Sequence, residues 1–428
     1  MMKKIPLNKL DLDLYHVTLP SGLEVYIVKK DKVNNASVKL TTKYGGNTIE
    51  FVPYGKNKMK KYPLGIAHFL EHQMFNMEDG SNPMAVFEGT GASSNAFTNY
   101  YQTTYLFDGM HNILDNISYL LHFVAKPYFT LESVEKEKGI IVSEAKMYLN
   151  YPDTLLDDTM MKNTFKVYPS KYPVIGLEKE ILKTTKEDLY DCYNTFYHPS
   201  NMFLTIVGNV NPNEIIEVVK KSELNTKHLH DKPRNLKIKS YDEPTKVVKE
   251  YEEINCDVVI PKIVLNYKLS VKQFTMEERI KLYLYLLILL DSKLGSSSLF
   301  LDELRTEEII TETVQYEVDM FDNYFIIPIY ASTKYYDELL NRLKHEMINL
   351  DISEEEFKRK QKVLISGYIY SSDNIYSISS KITSDIIRYG SVITDYYGLL
   401  KSLNYYEMKS MLQKISFKNK NIVIARKK

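Results

Sequence analysis

The same order of strand and helix patterns runs twice through this sequence, on either side of a charged stretch, and that repetition restricts the chain to a duplicated architecture. In the first pass, residues 23–28 and 36–42 read as paired strands, and Gly45-Gly46 ends the second of them. Helical spacing follows at 64–76 and 84–90, a strand pair at 93–100 and 103–107, and helices at 112–123, 131–150 and 186–196. The apolar run 203–210 closes the pass as a buried strand. In the second pass, 260–270 is strand-like and 276–290 and 298–305 are helical. Another strand pair, 309–318 and 324–330, then leads into helices at 336–349 and 354–370. Sequence similarity between the passes is faint, but the order is shared. The fold class expected is α+β, with two homologous halves, each a mostly antiparallel sheet carrying helices on one face.

Between the passes, Lys220 to Glu250 is rich in charge, contains Pro233 and Pro244, and has no sustained apolar period. This predicts a first half at 1–222, a linker at 223–246 and a second half at 247–428. A chain of 428 residues is long enough for two such cores.

Lys+Arg and Asp+Glu both total 55, so the formal charge is zero, and neither nucleic acid nor an anionic membrane is expected as a partner. Two cysteines, Cys192 and Cys256, are too few for a disulfide framework or a thiolate zinc site. Any metal is therefore left to histidines and carboxylates. The N-terminal lysines are followed by Asp11 and Asp13 rather than an apolar stretch, so no signal peptide is expected. The longest apolar run, 282–290, is too short to span a bilayer. These readings place the chain in the cytoplasm.

The chemistry concentrates in His68-Phe69-Leu70-Glu71-His72. Pro63 suits the first turn of a helix, and at helical spacing Ile66, Ala67, Leu70 and Met74 share one side. His68, Glu71, His72 and Phe75 share the other. Two imidazoles one turn apart can take adjacent corners of a zinc tetrahedron, and a neighbouring carboxylate can act as base toward water. A chance match to such a short pattern arises in roughly one comparable sequence in a hundred, and the amphipathic context lowers that.

A zinc site of this type needs a third protein ligand. In 131–150, Glu137 and Glu144 lie within an arc shared with Val134, Ile140, Ile141, Ala145, Met147 and Tyr148. Carboxylates on an apolar arc need a cation, a metal or backbone donors. Glu144 is assigned as the ligand, with Glu137 orienting a ligand or the base.

His68–His72 preceded by Gly65-Ile66-Ala67, then Asn95-Ala96-Phe97-Thr98, then Glu137 and Glu144, resembles the pitrilysin and mitochondrial processing peptidase family, the inverzincins. Phe196-Tyr197-His198-Pro199-Ser200-Asn201-Met202 and Val207-Gly208-Asn209-Val210 are similar to later landmarks of that family, and short bacterial members are the nearest likeness. The resemblance implies one Zn2+ per chain on His68, His72 and Glu144. It implies Glu71 as the base, with Glu137 supporting catalysis. It also implies an edge strand at Asn95 and Ala96 on which substrate lies as an added strand, and a chain forming half of a clamshell. Small residues at 93–96 beside Gly91 independently suit such an approach.

The second half departs from the pattern. Larger family members carry an Arg followed seven residues later by a Tyr, whereas here Arg305 is followed by Glu312. Arg305 is thus a substrate-binding candidate with a competing role as a helix-end salt-bridge residue. Tyr316 is a possible substitute for the missing Tyr. The gap favours a heterodimer whose homologous partner supplies Arg and Tyr, with a homodimer as the alternative.

Among the remaining candidates, His198 reads as a loop residue. His228 and His230 fall in the linker with no second set of ligands in view. Gly295-Ser296-Ser297-Ser298 lacks the Gly-Lys-Ser/Thr of a phosphate loop, and the cluster Lys58 to Lys61 reads as a solvated loop. The expected activity is zinc-dependent endo- or oligopeptidase action on extended or unfolded peptides in an enclosed chamber. The competing readings are a non-catalytic or partner-dependent subunit of a processing complex, and a peptidase dedicated to one peptide.

Overall fold

The structure, a computed structural model, describes residues 2–427. The chain forms two compact units that do not follow chain order. One comprises Met1–Ala145, Tyr172–Ser240 and Ile369–Tyr396, and the other Lys146–Lys171, Tyr241–Tyr368 and Tyr397–Lys428. Division by compactness therefore differs from the halves expected at 1–222 and 247–428. Part of the expected linker is folded into the first unit. It carries a short helix, Glu223–Thr226, with Leu224 and Asn225 buried.

The first unit is built on a seven-stranded sheet. Its spatial order is Lys3–Leu7, Leu12–Thr18, Glu24–Lys29, Met202–Gly208, Ala36–Thr42, Thr103–Gly109 and Ser93–Thr98. All pairs are antiparallel except Glu24–Lys29 with Met202–Gly208. Met202–Gly208 is buried along its whole length, as a central strand covered on both faces must be. One face carries a core that includes Val25, Ile27, Val38, Leu40, Phe69, Leu70, Leu120 and Phe123. On the other face, Tyr26, Val28, Phe203 and Val207 pack against Ile375, Ile378, Ile382 and Ile386 of the helix Ile375–Tyr389. Helices on one face were expected, and this later segment adds one to the other.

The second unit repeats the plan. Its sheet runs Tyr251–Asn255, Lys420–Arg426, Lys262–Ser270, Tyr324–Ser332 and Gln315–Tyr316, with Asp319–Phe321 also pairing on Tyr324–Ser332. Again one pair is parallel, Tyr251–Asn255 with Lys420–Arg426, and antiparallel strands follow it as they follow the parallel pair of the first sheet. The helix Pro152–Thr164 lies against this sheet. Asn266 and Asn421 each donate from Nδ2 to Thr164 Oγ1 at 2.9 Å, and Asn421 also reaches Met160 O at 3.0 Å. The strand expected over 309–318 shrinks to Gln315–Tyr316. The helical stretch Met276–Thr306 is long and apolar enough by composition to cross a bilayer, yet Leu282, Leu284, Leu286, Ile288, Leu289 and Leu290 are all buried inside the unit.

Candidate metal centre

The helix bearing the histidines spans Ile66–Gln73 and is shorter than expected. Pro63 precedes it rather than opening it, because a turn closed by Ile66 N to Pro63 O intervenes. Gly65 caps the helix at φ 86°, and a Cβ there would sit 2.2 Å from Ile175 O. Both facts restrict that position to glycine. The close approach fixes where the helix starts, and hence where its side chains point.

Ile66, Ala67, Phe69 and Leu70 are buried in the core. On the remaining arc, His68 and His72 place their ring centroids 4.6 Å apart. Glu144, from the helix Leu131–Tyr148, approaches both: its Oε1 is 4.0 Å from His68 Nε2 and its Oε2 is 3.5 Å from His72 Nε2. Two ligands on one tetrahedral zinc stand roughly 3.3–3.5 Å apart, given bonds of about 2.0–2.2 Å. His68, His72 and Glu144 thus offer two nitrogens and an oxygen, all within 4.8 Å of one another. One of the atoms concerned, Glu144 Oε2, is buried with no hydrogen-bond partner. A donor set of this kind with an orphaned carboxylate oxygen fits a divalent cation such as zinc.

Glu137 accepts at 2.9 Å through Oε1 from His72 Nδ1, which turns His72 Nε2 toward Glu144. Burial works to lower the His72 pKa, but the Glu137 hydrogen bond and the charges of Glu137, Glu144 and Glu71 outweigh it and raise the value. For His68, burial, reinforced by His72, pushes the pKa down to about 3. His68 is therefore a neutral imidazole with a lone pair to give. Glu71 is buried at 7% exposure. Burial, aided by the charge of Glu144, raises its pKa against the opposing pull of Thr98 and His72.

Thr98 was not singled out for any role in the sequence, yet its Oγ1 donates to Glu71 Oε2 at 2.6 Å and contacts Thr103 Oγ1 at 3.1 Å. The strand Ser93–Thr98 that carries it is the sheet's edge, paired on one side only. Asn95 is exposed and Ala96 half-buried on that strand. Asn95 Oδ1 accepts from the Ala96 amide at 2.8 Å, covering one backbone donor. A six-residue edge is thereby tied through Thr98 to the carboxylate beside the histidines.

The expected apolar arc of the second helix needs correction. Along Leu131–Tyr148, Val134 and Ile141 are buried, but Ile140, Met147 and Tyr148 are exposed. The arc holding Glu137 and Glu144 is therefore a mixed face rather than an apolar one. Arg305 lies in the second unit near the end of the helix Leu299–Thr306. Its Nη1 reaches Ser296 O at 3.3 Å and Asp302 Oδ1 at 3.9 Å, which is helix-end bonding. Tyr316 donates to Asp291 Oδ1 at 3.4 Å.

A family model described as Insulinase (Peptidase family M16) matches residues 51–178, and one described as Peptidase M16 inactive domain matches residues 183–364. The chain is 34% identical over 419 residues to a Bacillus subtilis (strain 168) protein named uncharacterized zinc protease YmfH, with 96% of each covered. It is 27% identical over 218 residues to mitochondrial-processing peptidase subunit beta of Caenorhabditis elegans, covering 49% of this chain and 44% of that one. The crystal structure of an M16-like peptidase from Alicyclobacillus acidocaldarius matches with a TM-score of 0.92 and 25% identity, over 99% of this chain and 100% of the other. The chain belongs to the M16 (pitrilysin) family of peptidases, among its short bacterial members.

Proposed function

We propose that this protein is a zinc-dependent endo- or oligopeptidase that takes extended or unfolded peptides. The observation that carries this reading is the convergence of His68, His72 and Glu144 beside the buried carboxylate of Glu71. Zinc held by those three side chains would supply a water of lowered pKa and polarise the scissile carbonyl.

The chain's own groups supply the remaining steps. A peptide lying along Ser93–Thr98 as an added strand gains backbone hydrogen bonds, and displaces Asn95 Oδ1 from the Ala96 amide. Glu71 takes a proton from the attacking water and returns it to the leaving amine. Its raised pKa makes it a better proton acceptor than an exposed carboxylate. Thr98, donating to one Glu71 oxygen, leaves the other free for that transfer. Glu137 holds His72 in place through Nδ1.

Position 312 is Glu where larger family members have Tyr, so we also propose a homologous partner subunit that supplies Arg and Tyr. The subunit naming of the mitochondrial-processing peptidase relative supports that reading. The proposed compartment is the cytoplasm, where the free Cys192 and Cys256 stay reduced.

The test is cleavage of internally quenched unstructured peptides by protein purified with whatever partner accompanies it from its native host. Chelation is expected to abolish cleavage and stoichiometric zinc to restore it. Cleavage that persists after complete metal removal would overturn the proposal.

A further inference from the structure

A second group of metal-ligating side chains lies in the first unit, away from the residues described above. His228 is not isolated, as its place in a charged segment implied. It stands with His198 and Asp231, and ligand atoms of the three lie within 4.8 Å of one another. We propose that His198, His228 and Asp231 form a second, non-catalytic site for a divalent transition metal such as zinc.

The three residues converge from two directions. His198 opens the 3-10 turn Pro199–Asn201 just ahead of the strand Met202–Gly208. His228 and Asp231 are one turn apart after the helix Glu223–Thr226, with Asp231 N bonded to His228 O. The histidine rings meet edge to face at 4.7 Å.

His198 is 1% exposed, and its Nε2 is buried with no hydrogen-bond partner. Ser200 holds the other ring nitrogen, with Oγ at 2.8 Å and the amide at 3.2 Å from Nδ1. The ring is thereby turned so that Nε2 faces Asp231 Oδ2 across 3.5 Å. That gap is too long for a hydrogen bond between them. It matches the roughly 3.3 Å between two ligands of one tetrahedral zinc. His72 Nε2 and Glu144 Oε2 stand at the same 3.5 Å in the catalytic centre.

The Ser200 amide donates to Nδ1, so a metal on Nε2 moves the ring proton to Nδ1, where Ser200 Oγ accepts it and the amide contact is given up. His228 Nδ1 bonds Asp231 Oδ2 at 2.8 Å, so that contact opens by about half an ångström when both bind one ion. Two nitrogens and one carboxylate oxygen select a borderline metal such as zinc, cobalt or nickel over calcium or magnesium. Asp231 is exposed and also lines a groove with Tyr54 and Arg234. The site would pin the segment after Glu223–Thr226 to the central strand.

The experiment is equilibrium dialysis of metal-free protein against excess zinc, followed by elemental analysis. His228→Ala and Asp231→Asn are each expected to hold one equivalent fewer than wild type. His230→Ala, which alters the exposed neighbouring histidine, should match wild type. His72→Ala should lose a different equivalent, so that His72→Ala/His228→Ala binds none. Cobalt loading gives a second readout, because wild type should show visible absorption that His228→Ala lacks even with the catalytic site filled. Peptide cleavage by His228→Ala should be unchanged. Equal zinc in wild type and His228→Ala would overturn the proposal and leave only a hydrogen-bonded cluster.

Discussion

Each unit buries charge, and the two do so in opposite ways. In the second unit, Lys268 and Glu243 pair at 2.7 Å with both side chains fully buried. Lys268 Nζ also donates to Thr164 O at 3.0 Å and Pro244 O at 2.8 Å. Glu243 accepts from the amides of Lys166, Val167 and Tyr168 at 2.9, 2.7 and 3.0 Å. All three ammonium protons are used, and the network is closed. In the first unit, His68, His72 and Glu144 keep side-chain exposures of 14%, 25% and 22%, and His68 Nδ1 and Glu144 Oε2 have no hydrogen-bond partner. A closed network holds a fold together without help, whereas an open one marks where a ligand belongs.

The strongest way to break this contrast is Glu71→Gln. It removes a proton acceptor while leaving the side chain's volume and the Thr98 contact largely intact. Turnover is expected to fall by about 10²–10⁴-fold with bound zinc unchanged, measured by peptide cleavage and elemental analysis. Near-native turnover would remove Glu71 from the mechanism. In the closed network, Lys268→Met leaves Glu243 charged, buried and without its cation. Unfolding in urea should show a loss of about 3–5 kcal/mol. Glu144→Gln in zinc-free protein is expected to cost less than about 1 kcal/mol, because it breaks no completed pair. Similar losses from the two substitutions would erase the distinction between the units.

A smaller effect sharpens the comparison inside the open site. Glu137 already has its hydrogen bond, to His72 Nδ1. Glu137→Gln should weaken zinc binding by about 10–100-fold, read by competition with a chromophoric chelator. That corresponds to about 1.4–2.7 kcal/mol. An unchanged affinity would show that packing alone orients His72.

How much of this was legible in the sequence follows the range of the interactions. His68 and His72 sit one turn apart on a single helix, so their convergence is local and readable from spacing. Glu144 required a second helix, and was reached only because a carboxylate on that arc needed a partner. The Thr98–Glu71 contact depends on where an edge strand meets a helix, and no local pattern encodes that. The helix Ile375–Tyr389 covers a sheet whose strands lie some 170 to 370 residues earlier, so it had no signal beyond its own amphipathicity. His198 and His228 were each visible, but their meeting depends on a turn after Glu223–Thr226 folding back on the 3-10 turn at Pro199–Asn201. Ile140, Met147 and Tyr148 misled because apolar residues are not required to be buried.

The subtlest test asks what burial alone does to a carboxylate that has neither a metal nor a catalytic role to fill. Asp158, in the second unit, has its pKa pushed up to about 6 by burial and then by the charge of Asp157. Glu71 is raised in the same direction, also chiefly by burial. For Asp158 the folded value lies above the ordinary 3.8, so the folded state binds the proton more tightly than the unfolded chain. Its favourable contribution is present in full below 3.8 and is lost as pH rises through about 6. Asp158→Asn has no proton to lose, so it should be close to neutral in stability at the acid end and stabilising above the upper value. The gain is expected to be about 1 kcal/mol, reduced from the full shift because the side chain is partly exposed. Urea unfolding across that pH window, wild type against variant, reads the difference directly. A gain that does not vary with pH would mean that packing rather than proton linkage sets the cost at Asp158, and the parallel with Glu71 would fail.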